Sequence, residues 1–212
     1  MTAAAESPLT VIEVFADIWC PFAHVGLRRF VHQRWTAGRG DLALHVRAWP
    51  LELVNGEPLD ANHVAEQIED LQRQVTPHLF SGFDPGRFPR TTLPALEVVS
   101  DAYAVGFDVG ERASLIVRDA LFERGEDIGD AAVLGRLRTD LALPAPGPDG
   151  REQVLADWAE GQQRGVVGSP HFFIGDTSFF CPALRIVRED GKRHIRIDTE
   201  RFDEFFTHCL AA

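Results

Sequence analysis

The residue most able to do chemistry is Cys20, in the stretch Val11–Gly26, VIEVFADIWCPFAHVG. Val11–Phe15 reads as an apolar strand, and Leu27, Phe30, Val31 and Trp35 then recur at helical spacing. Pro21 suits the first turn of that helix, where its missing N–H costs nothing. The pattern therefore predicts Cys20 at a helix N-terminus, directly after a buried strand. The free N–H groups and dipole there favour negative charge. They should lower the pKa of the thiol and raise its thiolate fraction, and the thiolate is the nucleophile of disulfide exchange and of attack on electrophilic carbon. The competing reading of Cys20 is a small buried apolar residue.

Other reactive side chains are few. His24 follows Cys20 by about one helical turn, and His171 follows the pair Ser169-Pro170. Either imidazole is of a kind that stabilises a thiolate or shuttles a proton near neutral pH, or it is simply hydrogen-bonded without a role. The segment Gly165–Ile174, GVVGSPHFFI, reads as a turn feeding a buried strand, and a tight X-Pro turn is where a cis peptide is affordable. Cys209 falls in register with Phe202, Phe205 and Phe206 on a terminal helix, as a core thiol. No metal site is expected, because a Cys–His centre needs more ligands than this neighbourhood offers.

Trp19-Cys20-Pro21-Phe22-Ala23, followed by His24-Val25-Gly26, resembles the active-site segment of the DsbA family of thioredoxin-fold proteins, nearest to its cytoplasmic FrnE-like branch. That family usually carries Cys-x-x-Cys, where one thiol attacks and the other resolves the mixed disulfide. Here Ala23 stands in the second position. Gly165–Ile174 resembles the family's cis-proline loop. The resemblance implies that Pro170 is cis and lies against Cys20, with the backbone of Ser169 open to a peptide or a glutathione-like ligand. It also implies that Trp19, Pro21 and Phe22, together with Phe172, border the groove. In such folds the chain returns toward the groove after the next strand, which makes Cys181 either a displaced resolving thiol or a half-buried loop cysteine. The implied function is a thiol–disulfide oxidoreductase working with one catalytic cysteine, assisted by His24, on a small thiol or a protein disulfide. Glutathione would serve as co-substrate, with no bound cofactor. Kappa-class glutathione transferases and 2-hydroxychromene-2-carboxylate isomerases resemble this layout too, so glutathione-dependent isomerase or transferase chemistry is an alternative, as is a non-catalytic binding protein.

The positioning elements follow from the rest of the chain. Leu42, Leu44, Val46 and Ala48 alternate through Asp41–Trp49, a strand with one strongly apolar face, so strand, helix and strand form a βαβ unit with parallel strands. From Asp60 to Arg164 the periodicity is helical: Val64, Ile68, Leu71 and Val75; Leu96, Val99 and Tyr103; Ala113 to Leu121; an N-cap at Asp130; and a last helix with Leu155 and Trp158 inward. Phe80–Arg90 and Pro144–Gly150 read as loops, and Asp190-Gly191 as a hairpin turn. The expected architecture is a thioredoxin-like α/β core of residues 9–58 and 166–212 with an all-helical insertion, residues 59–165. Val11–Phe15 and Leu42–Trp49 should pair parallel, with Phe172–Ile174 and a later strand antiparallel.

Composition excludes some classes. The 212 residues carry a net charge of −11, unfit for a nucleic-acid backbone. No stretch approaches the roughly 20 apolar residues of a membrane span. The opening MTAAAESPLT lacks the charged and apolar regions of a secretory signal, and three cysteines are a sparse, odd set. Together these point to the cytoplasm. A homodimer is left open as the oligomeric state.

Overall fold

The computed structural model describes residues 9–147 and 149–212. The reading of the first eight residues, and of Pro148 in its loop, lies outside the described residues. In chain order the elements are β1 (Thr10–Ala16), α1 (Pro21–Thr36), β2 (Leu42–Ala48), α2 (Leu51–Asn55), α3 (Ala61–Gln74), a 3-10 turn (Pro85–Arg87), α4 (Leu93–Val105), α5 (Phe107–Phe122), α6 (Ala131–Asp140), α7 (Asp149–Gln163), β3 (His171–Ile174), β4 (Thr177–Phe180), β5 (Leu184–Glu189), β6 (Lys192–Ile197) and α8 (Thr199–Ala211).

Four strands form one sheet in the order β2-β1-β3-β4. β1 and β2 run parallel from Thr10 opposite Leu42 to Ala16 opposite Ala48. β3 is antiparallel to β1, with Val14 opposite Phe172, and β4 is antiparallel to β3. β5 and β6 form a separate hairpin. Asp190 and Gly191 turn it, both at positive φ, as a tight two-residue turn requires.

Apolar side chains fix both faces of the sheet. On one, Phe205 of α8 meets Phe30 of α1 at 5.9 Å, Phe172 at 4.8 Å and Phe179 at 5.4 Å between ring centroids. On the other, α7 lies across Phe15, Trp49 and Arg47. Gly161 is required there, since a Cβ would stand 2.5 Å from the Trp49 ring. Arg47 donates to Asp157, Glu160 and Glu13. β2 is thus buried on both sides, and not only on the face marked by its alternation.

Two register expectations are corrected. Trp35 is 79% exposed, because its neighbour Arg34 takes the inward position, donating to the Leu42 carbonyl and to Glu111. In α7, Leu155 is 41% exposed. The face that meets the sheet carries Val154, Asp157 and Gly161; two of those three are not apolar, so hydrophobic spacing pointed elsewhere.

The outer edge of β2 is sealed by side chains. The Tyr103 hydroxyl accepts from the Val46 N–H and donates to the Leu44 carbonyl, both at 2.9 Å. Glu111 accepts from the Leu44 N–H at 2.9 Å, and Asp157 from the Ala48 N–H at 3.0 Å. Such capping blocks strand addition at an otherwise open edge. Tyr103→Phe leaves two strand groups without their partner and is expected to lower stability by about 1–3 kcal/mol, read as an earlier urea midpoint at unchanged slope.

Candidate active site

β1 ends at Ala16, and four residues carry the chain to the first turn of α1. Cys20 is the N-cap residue, in extended conformation, with no side-chain cap. Its carbonyl accepts the first helical bond, from the His24 N–H at 3.2 Å. The Ser169–Pro170 peptide is cis. The Cys20 thiol donates to the Ser169 carbonyl at 3.1 Å, and the Asp17 N–H donates to Ser169 Oγ at 3.0 Å. Two stitches thus bind the strand–helix turn to the proline loop, across about 150 residues of sequence.

The thiol itself differs from the expectation. Cys20 is only 4% exposed, and its pKa is raised, not lowered. Burial is the main cause. The N–H groups of Ala23 and Phe22 and the Ser169 side chain pull the other way, and the charge of Asp17 adds to the rise. The helix N-terminus is present as expected, but desolvation of the thiolate outweighs it.

A buried polar cluster underlies the sulfur, and sequence reasoning missed it. Asp17 is fully buried, accepts from the Leu51 N–H, and has its carboxyl pKa raised to about 6 by burial. Its Oδ1 has no hydrogen-bond partner among the described residues. Arg118, also fully buried, donates to the Asp17 carbonyl at 2.9 Å and to Ser114 Oγ at 2.9 Å. Burial lowers its pKa to about 10 against the opposing charges of Asp17 and Cys20. The one available signal was Asp17 itself, a charge between two apolar runs three residues before the cysteine. Arg118, inside α5, gave none.

Trp19 and Phe172 do not border a groove. Trp19 is fully buried and stacks on Phe88 at 5.5 Å, so the loop around the 3-10 turn roofs it, while Phe172 packs under α8. Pro21 and Pro170 are buried too; Phe22 and Ser169 keep partial exposure. Ala23, in the place of a second cysteine, is buried.

His24 turns toward the helices. Its ring lies 4.9 Å from Phe122 and 5.3 Å from Phe80, and Nε2 meets Glu123 at 2.9 Å. Burial lowers its pKa, so the imidazole is neutral and donates from Nε2. Burial alone would raise Glu123, but the His24 contact and the Phe80 and Ser81 N–H groups hold it near about 2. This clamp ties α1 to the end of α5 and to the loop after α3. His24→Ala is expected to cost about 2–4 kcal/mol in denaturant unfolding while leaving the pH profile of Cys20 alkylation in place; a displaced profile would instead put the imidazole at the thiol.

His171 is buried, and its Nδ1 accepts from the Val167 N–H at 3.2 Å, closing the proline loop. Cys181 is buried, with a thiol pKa pushed up to about 12 by burial and by the charge of Cys20. All three cysteines are free. A groove of 1620 Å³ lies between α1 and α5 and is lined by Arg34, Trp35, Phe107 and Leu115, without Cys20. Concavity does not mark the candidate site here; the thiol and its partners do.

The sheet order, the cysteine at the helix start and the cis-proline opposite it make this the fold of the DsbA-like thioredoxin-fold proteins, the isomerase branch included. The solved structures it matches include 2-hydroxychromene-2-carboxylate isomerase, at TM-score 0.60 and 16% identity over 80% of this chain and 88% of the other. They also include the cytosolic disulfide reductase DsbM from Pseudomonas aeruginosa, at TM-score 0.61 and 16% identity over 95% and 100%. DsbM with GSH matches at 0.61 and 14%, over the same shares. At these identities the likeness carries the fold. No family model and no curated protein matches the sequence. Among the described residues, no helix is long and apolar enough to cross a membrane.

Proposed function

We propose that the protein is a thiol–disulfide oxidoreductase whose attacking group is Cys20, acting on glutathione mixed disulfides or related small disulfides. The observation that carries this reading is the contact of the Cys20 thiol with the Ser169 carbonyl, beside a cis-proline and at the head of α1. The likeness to a cytosolic disulfide reductase whose structure was also solved with GSH supports it, and supports glutathione as co-substrate and the cytosol as compartment.

In this reading the thiol rests protonated on Ser169. Its proton leaves to solvent as a disulfide approaches, and the charge of Asp17, ionised above about pH 6, opposes that loss. The thiolate, supported by the Phe22 and Ala23 N–H groups, attacks one sulfur of the disulfide. A Cys20 mixed disulfide forms and the other sulfur leaves as a thiolate. Deprotonation also frees the Ser169 carbonyl to accept from a ligand's backbone N–H. Phe22, half-exposed, offers an apolar wall.

The test is reduction of a glutathione mixed disulfide by the purified chain with glutathione as the outside thiol. Turnover above the uncatalysed rate supports the reading. No turnover, with glutathione-dependent isomerisation of a chromene carboxylate instead, would assign the site to the isomerase class.

A further inference from the structure

Cys181 is the second thiol at the proline loop. β3 and β4 pair with His171 opposite Phe180. One step further along the ladder Pro170 faces Cys181, and the Cys181 N–H donates to the Pro170 carbonyl at 2.9 Å. Cys20 donates to the carbonyl of the preceding residue, Ser169. The Cys20 thiol and the Cys181 backbone N–H thus address the carbonyls of consecutive residues.

Cys181 follows β4 directly and is buried, as Phe179 is, while Phe180 between them is exposed. Phe179 packs on Phe205, which also meets Phe30 of α1, the helix that Cys20 begins. Both cysteines belong to the apolar core, and the two thiols are close enough to influence one another electrostatically. Cys181 stands at φ +46°, where a side chain costs about 1–3 kcal/mol that glycine would not. Local backbone chemistry does not ask for a cysteine there.

We infer that Cys181 resolves the mixed disulfide formed on Cys20, so that the dithiol pair absent from the helix turn is split between that turn and the end of β4. This rests on the Cys20 reading above. Cys181 attacks the Cys20 sulfur of Cys20–S–S–R. The new bond is Cys20–Cys181, the broken bond is Cys20 to the R sulfur, and R leaves as a thiol carrying the proton of Cys181. In sum, one small disulfide oxidises two protein thiols and is reduced to two small thiols; two glutathione molecules then return the protein to its reduced form and leave as one glutathione disulfide. Buried as it is, Cys181 is kept from direct attack on disulfides in solution.

The reduced full chain is exposed to glutathione disulfide, acid-quenched and mapped by mass spectrometry. The wild type is expected to yield a Cys20–Cys181 cross-linked peptide. Cys181→Ser, and Cys181→Ala as a second variant in case one fails to fold, should accumulate the Cys20–glutathione adduct about tenfold above wild type. Cys209→Ser should match wild type. Equal adduct in wild type and the Cys181 variants, with no cross-link, overturns this inference and leaves the Cys20 reading standing. Absence of both adduct and cross-link in every protein overturns both.

Discussion

Cys20→Ser is expected to lower glutathione mixed-disulfide reduction by more than about 100-fold while leaving the fold intact. A hydroxyl cannot form the mixed disulfide, and serine keeps a donor for the Ser169 carbonyl. The wild-type rate should climb with pH well past neutrality, about tenfold per unit below the thiol pKa, because burial holds that pKa above its ordinary value. Stopped assays from pH 6 to 9, with circular dichroism of both proteins, read the two effects together. A rate in the serine variant within a few-fold of wild type would remove Cys20 from the chemistry. A wild-type plateau already reached at pH 6 would contradict the burial of the thiol.

Asp17→Asn should remove a pH-dependent loss of stability. The native carboxyl binds its proton more tightly than the unfolded one, with a pKa of about 6 against an ordinary value of 3.8. A raised native pKa contributes stability that is whole below about pH 4 and is lost as pH rises through about 6. The shift corresponds to roughly 3 kcal/mol. Denaturant titrations of both proteins between pH 3.5 and 8 should therefore show the wild type falling relative to the variant by about that amount, all of it between pH 4 and 6. Taking the difference between the proteins cancels the other titrating groups, Arg118 included, to the extent that their own shifts are the same in both. A flat difference would place the Asp17 carboxyl in contact with water. In the same variant the midpoint of Cys20 alkylation should move to lower pH, since the Asp17 charge is one of the causes raising the thiol.

Much of the site was legible in the sequence because its signals are local. A strand, Cys-Pro and an amphipathic run place Cys20 at the head of α1, and Ser-Pro before HFFI marks a turn into a buried strand, while the meeting of the two was implied by the family resemblance. Asp130 caps α6 as its type foretold, accepting from the Ala132 and Val133 N–H groups. Burial of the thiol was not legible, because the groups that cause it come from far along the chain. Phe88 roofs Trp19 from nearly 70 residues away, and Arg118 reaches Asp17 from 101. His24 shows the same limit: its position one turn past the cysteine is local, but Glu123, which claims its ring, is 99 residues off. Periodicity failed where an inward face was built of non-apolar residues, as with Asp157 and Gly161 in α7.

The sealed margin of β2 bears on how separable the parts of this chain are. Its plugs come from three different helices, with Tyr103 on α4, Glu111 on α5 and Asp157 on α7. Excising the helical stretch would not release a smaller, self-sufficient unit; it would bare a row of amide and carbonyl groups ready to recruit any passing strand. The two halves are in that sense one cooperative object, and a recombined or trimmed version of the α/β part would have to bring its own cover for that flank.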